Sequence, residues 1–310
     1  MSTNLGYACI VHQFSELPAK SRITTNRTMI RKTFDERGID YAAQLAYLNV
    51  CDLYTILKWN TANDINFYRM SSDMFPWASE YGIRNLPNIE QVAAMLRKCG
   101  DYATSVGQRL TFHPGPFNKL TSSNPSVTAN TIKDLIIHAD ILDLMGLSNT
   151  HYNKINIHVG ATYKDKPMAI AQFLNNWNLV PDNVKSRFTL ENDDKPSLYT
   201  TEELYNLIYK HTNIPIVFDH HHHTLHSGGM SHADALAIAV STWGNVKPVV
   251  HYSQSRSVEQ NIKCPPTAHS DSYWETMDTC GHDVDVMLEA KFKEIALFKY
   301  RELLTNKIAA

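Results

Sequence analysis

The run FDHHHH at 218–223 sets an acid beside four imidazoles, Asp219 and His220 to His223. Other chemically able side chains stand far apart. His113, His158, Glu191, His251 and Glu289 each lie at the end of a short apolar stretch, and Arg69 ends another. A lone His in such a place is usually hydrogen-bonded and structural. Several brought together are different. Buried imidazoles and carboxylates gathered without a cation leave charge unpaired, which is costly. A His/Asp/Glu set without Cys suits Mn²⁺, Zn²⁺ or Fe²⁺, and this many imidazoles disfavours Mg²⁺. Glu191 and Asp219 are the central acids. A carboxylate can bridge two cations, and cations about 3.5–4 Å apart can activate a water and stabilise the leaving oxygen of a phosphodiester. That chemistry points to phosphate-ester hydrolysis over sugar binding.

The elements that carry these residues repeat with a rhythm. Strand-like runs recur at 5–11, 65–70, 109–113, 154–159, 187–192, 215–220, 247–252 and 284–290. Between them, stretches such as ERGIDYAAQLAYLNVCDLYTILKWN, NIEQVAAMLRKCGDYATSV and TANTIKDLIIHADILDLMGL return an apolar residue every three or four positions, as helices do. TTEELYNLIYKH opens with a capping-box-like start near Thr201. Eight strands alternating with helices predict an α/β fold, a single (β/α)8 TIM barrel spanning 1–310 as one domain. An open doubly wound sheet is the alternative. The barrel is favoured because it brings all strand C-termini to one mouth, where seven polar ends converge; an open sheet would string them along a line.

Composition sets outer limits. The 310 residues are 43% hydrophobic and 19% charged, with a formal net charge of −2. This argues mildly against a nucleic-acid binder of the strongly basic kind. Lys20, Arg22, Arg27, Arg31 and Lys32 form the clearest basic cluster, which read alone is a solvated loop. No apolar run approaches the roughly 20 residues that span a bilayer. The start MSTNLGYACIV lacks the pattern of a secretory signal. Five scattered cysteines without a CxxC pair fit a reducing compartment, so an intracellular location is expected. No obligate protein partner is evident.

The motifs, taken together, resemble those of the ultraviolet-damage endonucleases, relatives of the endonuclease IV-type apurinic endonucleases. They run nearly end to end: LGYAC at 5–9, TTNRT at 24–28, YRMSSDMFPWAS at 68–79, LTFHPGPF at 110–117, INIHVGATY at 155–163, RFTLENDD at 187–194, VFDHHHH at 217–223, VHYSQ at 250–254, TAHSD at 267–271 and VMLEAKFKE at 286–294. The resemblance implies a TIM barrel with up to three divalent cations, manganese first and zinc second. The implied activity is incision of damaged double-stranded DNA immediately 5′ to a lesion, leaving a 3′-hydroxyl and a 5′-phosphate. By motif, His113, His158 and Glu191 would hold one metal. Glu191, Asp219, His251 and Glu289 would hold another, and His222 and His269 a third, with Asp219. Within the histidine run, the family pattern of Asp followed three places later by His selects His222. His223 has a counterpart beside the site, and His220 and His226 are bystanders.

Three positions depart from that pattern. Glu80 stands where the family has His after WAS, as a catalytic or metal-water candidate that cannot be a cationic donor. Pro116 and Phe117 replace a damage-probing Gln-Tyr pair; Phe can still wedge into the base stack, but Pro cannot donate as Gln does. Val249 replaces a lysine implicated in the metal site, and Lys247, on the same face but deeper, is a doubtful substitute. The expectation is cleavage with altered lesion preference. DNA contacts are assigned to Tyr7, Phe117 and Tyr163 as stacking residues, and to Arg27, Arg69, Lys119 and Arg256 as phosphate partners. The rival readings are an apurinic endonuclease without photoproduct preference, a metal-dependent sugar isomerase on a similar barrel, and a damage-binding protein that cuts nothing.

Overall fold

The computed structural model describes residues 3–260 and 263–309. The two ends of the expected 1–310 domain therefore lie outside the described residues. Eight strands form: β1 Leu5–Ala8, β2 Phe67–Arg69, β3 Arg109–Thr111, β4 Ile155–His158, β5 Phe188–Glu191, β6 Ile216–Asp219, β7 Val249–Tyr252 and β8 Asp285–Leu288. All lie within the runs expected from sequence. Each pairs in parallel with its neighbours in the order β3-β2-β1-β8-β7-β6-β5-β4. A parallel bridge between Phe112 and Ile155 joins the two free edges. The open-sheet alternative is thereby excluded, and the strands make a nearly closed barrel.

Helices follow most strands and pack their apolar faces on the outside of the barrel. The helix Arg31–Ala62 buries Ala42, Ala46, Asn49, Val50, Leu53 and Leu57, the three-and-four spacing of one face. It begins five residues before the expected stretch and breaks at Gly38, whose φ of 65° lies in the left-handed region that favours glycine. The helix opening near residue 201 is capped by Thr200 rather than Thr201. The Thr200 hydroxyl accepts from the Glu203 amide, and Glu203 reaches back to the Thr200 amide. The β7–β8 connection departs from the regular repeat. Among the described residues it holds only the short helix Arg256–Gln260 before β8.

Alternation along the strands sorts the barrel interior. One side is apolar: Ala8, Phe67, Val217, Trp243, Val249 and Met287 pack as one cluster. The other side is polar. At the base, Arg109 and Asp285, both fully buried, pair at 3.0 Å, and Arg109 also donates to the carbonyls of Tyr152 and Lys247. Lys247 turns its amine to Asp283 at 2.7 Å and Asp285 at 3.3 Å. It is therefore committed to the base and does not stand in for the missing lysine at 249.

Candidate active site

Strand register builds the site. His158 pairs with Glu191 across β4–β5, and Asp219 pairs with His251 across β6–β7. Parallel partners point to the same face, so these four enter the barrel mouth as two facing pairs. His113 follows β3 and Glu289 follows β8. A cleft of about 260 Å³ is lined by Arg69, His113, His158, Glu191, His222, His269, Glu289 and the Pro114–Pro116 turn.

Glu191 is the hub. Its Oε2 lies 3.1 Å from His113 Nε2 and 3.0 Å from His251 Nδ1, and its Oε1 lies 3.9 Å from His158 Nε2 and 3.4 Å from His222 Nδ1. Asn156 donates to Oε2, and the Thr189 hydroxyl donates to Asn156 Oδ1 at 2.8 Å, which fixes which way the amide points. Burial alone would raise the Glu191 carboxyl; His251, His158 and His113 outweigh it and hold the group well below the usual carboxylate range. Two donor sets lie within ligand reach, His113–His158–Glu191 and Glu191–Asp219–His251, with Glu191 common to both.

The run of histidines is resolved by a change of element. A six-residue helix, His220–Leu225, starts immediately after β6 with Asp219 as its N-cap, and the His222 amide donates to Asp219 Oδ1 at 2.7 Å. One helical turn swings His222 back over Asp219 and toward Glu191. His222 Nδ1 donates to the Asn192 carbonyl at 2.9 Å. His220 and His223 pack instead with Phe218, Tyr252 and His232, away from the cleft, so His223 has no place beside the site. His221 meets His269 ring to ring.

A divalent cation suits this donor set on the geometry itself. His113 Nδ1 bonds to the Pro114 carbonyl, so its Nε2 lone pair faces Glu191 Oε2. Burial lowers that ring to about 4, keeping it neutral. Two lone pairs opposed at that distance call for a cation between them. Asp219 Oδ2 is buried without a hydrogen-bond partner, and burial, with Glu191 and Glu289 adding to it against the pull of His222, lifts that carboxyl to about 6. His158 runs the other way. Burial opposes its charge, but Glu191 and Asp193 raise it to about 9. The expected third set is less complete. His222 lies 3.8 Å from Asp219, while His269 bonds through Nδ1 to the Glu289 carbonyl at 3.0 Å. Among the described residues these do not close a third group of three donors. Glu289 faces His251 at 3.3 Å and is also held by Arg69.

Several expected contacts change. Tyr7 is fully buried in the core, its hydroxyl on Asn60 at 2.7 Å, so it offers no face to a base. Glu80, expected as a catalytic candidate, is instead exposed, paired to Arg31 at 2.8 Å, and is not among the cleft-lining residues. Arg27 spends its guanidinium on Asp52 and on the Thr24 and Arg22 carbonyls, pinning the TTNRT loop rather than presenting charge. Arg31 and Lys32 are likewise answered by Asp35 and Glu36. Phe117 is 87% exposed and Tyr163 51% exposed, both in loops at strand ends. Tyr163 and Lys164 both adopt positive φ, 50° and 67°, the kind of strain that accompanies functional loops. Arg256 is half-buried, 3.6 Å from Asp271.

Sequence reasoning missed the layer beneath the ligands. Lys154, Asn156 and His158 alternate on the inward face of β4, as Thr189 and Glu191 do on β5. The period-two rule could have found them. Lys154 is fully buried with its amine 3.3 Å from His251 Nε2, and burial lowers it to about 7. Asp193 was quoted only as part of a motif; its carboxylate holds His158 Nδ1 at 3.1 Å.

A model of the family described as "UV-endonuclease UvdE" matches residues 3–309. The chain belongs to this family. A "UV DNA damage endonuclease" of Bacillus cereus is 34% identical to this UV-endonuclease family member over 292 residues, covering 91% of the chain and 88% of the Bacillus protein. A "UV-damage endonuclease" of Schizosaccharomyces pombe is 34% identical over 307 residues; the chain spans only 49% of that protein's length. Among solved structures, that of SacUVDE superposes with a TM-score of 0.84 at 28% identity, covering 98% of this chain and 99% of the other. Endonuclease IV from Thermus thermophilus shares the fold alone, with a TM-score of 0.55 at 13% identity over 98% of this chain and 99% of the other.

Proposed function

We propose that this UV-endonuclease family member hydrolyses the phosphodiester 5′ to a lesion in double-stranded DNA, leaving a 3′-hydroxyl and a 5′-phosphate. One observation carries the reading: Glu191 stands between two donor sets, with neutral His113 aiming a lone pair at it. His113, His158 and Glu191 would hold one divalent cation, and Glu191, Asp219 and His251 a second, with Glu289 at its edge. His222 and His269 are the side chains available to a third. Mn²⁺ is the first choice and Zn²⁺ the second. Bound there, such cations supply positive charge for the developing charge on phosphate oxygens and lower the pKa of a water.

The chain's own residues do the rest. Asn156 and Thr189 fix the Glu191 carboxylate, and Asp193 fixes His158, so little reorganisation accompanies the chemistry. Arg69 lines the cleft and offers a guanidinium beside a bound phosphate. Phe117, exposed at the rim after Pro116, is the wedge that enters a stack already weakened by damage. Tyr163 is a second stacking face. Lys119 and Arg256 are the candidates for backbone phosphates.

Duplexes carrying a pyrimidine photoproduct, an abasic site or no lesion, incubated with Mn²⁺, test the reading. Incision is expected at the photoproduct first. Preference for the abasic duplex would instead favour an apurinic endonuclease, and negligible cutting of all three would refute the proposal. Glu191→Gln is expected to abolish turnover, a loss of at least a thousandfold, because the shared charge disappears; wild-type nicking by that variant would remove Glu191 from its role.

A further inference from the structure

The turn after β8 carries a lysine whose charge nothing answers. Residues 290–294 are fixed from both sides. The Lys291 and Phe292 amides donate to the Ser270 and Asp271 carbonyls, each at 3.0 Å, and the Lys293 amide donates to the Ala290 carbonyl at 3.2 Å. On the other side, Glu294 accepts from the His12 and Gln13 amides at 2.7 and 2.9 Å, and the Phe292 ring meets the His12 ring edge-on at 5.4 Å. The segment gripped in this way continues from Cys9, whose amide donates to the Arg69 carbonyl at 2.8 Å. Lys293 therefore stands on the barrel mouth where β8, β1 and β2 end, on the side of the cleft that Arg69 and Glu289 line.

Lys293 opens the final helix, Lys293–Ala309, with a φ of 50°. That left-handed backbone suits glycine, and a lysine there is strained. The side chain is half-buried. Among the described residues no hydrogen bond or ion pair answers its amine. The acids in its field are Glu289 and Glu294, and both are engaged. The two Glu294 oxygens hold backbone amides, while Glu289 is held by Arg69 and His251. Burial holds the amine below its ordinary value, and an anion brought beside it would favour the charged form. A half-buried, unpaired cation on a strained backbone is a cost without structural return. A mouth that receives DNA supplies the missing anion.

We propose that Lys293 binds a backbone phosphate of the incised strand, next to the phosphate held in the cleft. The inference rests on the DNA-cutting function proposed above and assigns a residue to it. Lys293 is not among the cleft-lining residues, so its phosphate flanks the one attacked. Such a contact releases condensed counterions and carries no base information. It holds ground state and transition state alike, and so acts on KM and not on kcat.

The test compares the unaltered protein with Lys293→Met, Lys293→Arg and Lys293→Gly. KM and kcat are read from nicking of a photoproduct duplex with Mn²⁺, and DNA affinity from fluorescence anisotropy in a Glu191→Gln background that leaves the duplex uncut. The Met variant should raise KM severalfold at constant kcat. Its slope of log affinity against log salt should be shallower by about 1, and its Mn²⁺ affinity by calorimetry should be unchanged. The Arg variant keeps the charge and should keep the slope. The Gly variant relieves the backbone, so it should melt no lower than the Met variant while losing as much slope, which separates the charge from the fold. A methylphosphonate walked through the phosphates flanking the cut should, at one position, cost the unaltered protein what Lys293→Met costs and cost the Met variant nothing more. An unchanged salt slope in the folded Met and Gly variants, or additive losses at every flanking position, would overturn the inference while leaving the nuclease function standing. Failure of the unaltered protein to cut any lesion duplex would overturn both.

Discussion

Protons compete with cations at this site, and His158 and Asp219, both raised, set the direction. In the metal-free protein His158 holds its proton up to about 9, where burial opposes the charge but Glu191 and Asp193 outweigh it. Asp219 holds its proton up to about 6, chiefly because it is buried. A cation needs both groups deprotonated. Below pH 6 it must displace both protons; between 6 and 9 it displaces one, from His158; above 9 it displaces neither. Mn²⁺ affinity should therefore rise with pH across 6 to 9, by up to about tenfold per unit while one proton is released. Titrations in buffers of different ionisation enthalpy would measure that release. A flat affinity with no proton released would mean that His158 is not a ligand.

At the scale of elements, the junction of β6 with the helix 220–225 decides which histidine matters. Asp219 caps that helix, so position 222 returns above the strand end while 220 and 223 turn toward His232 and Phe218. His222→Asn is expected to lower metal affinity at least tenfold, and His220→Asn to leave it unchanged; calorimetry distinguishes them. Reversed effects would mean that the helix does not form as described. The turn Pro114–Phe117 allows a second test. Phe117 is so exposed that Phe117→Ala should change stability by no more than about 0.5 kcal/mol. It should nonetheless reduce discrimination between damaged and intact duplex severalfold, measured as the ratio of nicking rates. An unchanged ratio would remove the wedge from the mechanism.

Across the whole molecule, the barrel is anchored at the end opposite its mouth. Arg109 spans the interior to Asp285 and to the carbonyls of Tyr152 and Lys247, tying β3 to β8 and to the segment before β7. Removing one member of a buried pair leaves the other charge uncompensated, at about 3–5 kcal/mol; Lys247 beside Asp285 moderates this toward the lower figure. Arg109→Met should lower the melting temperature by several degrees. Surviving protein should bind Mn²⁺ normally, because the base and the mouth are separate layers. An unshifted melting curve would show the pair to be dispensable. No described helix is long and apolar enough to cross a membrane.

Strand positions were legible in the sequence because alternation of β-branched and polar residues is a local signal, and the eight runs fell where the eight strands formed. The polar ends His113, His158, Glu191, Asp219 and His251 were legible for the same reason: parallel strands of a barrel all end at one mouth. The choice of His222 from its run came from motif resemblance, not from strand alternation, which places Asp219 and His221 on one face; the helix that reorients His222 depends on Asp219 acting as a cap. Tyr7, Arg27 and Glu80 looked available because sequence shows residue type but not what is already packed against it. Asn60, Asp52 and Arg31, distant in the chain, claim them. Lys154 was invisible as a partner of His251 for the same reason, since 97 residues separate them. Local periodicity fixes which residues point inward; only closure of the barrel, a set of long-range contacts, decides which of them meet.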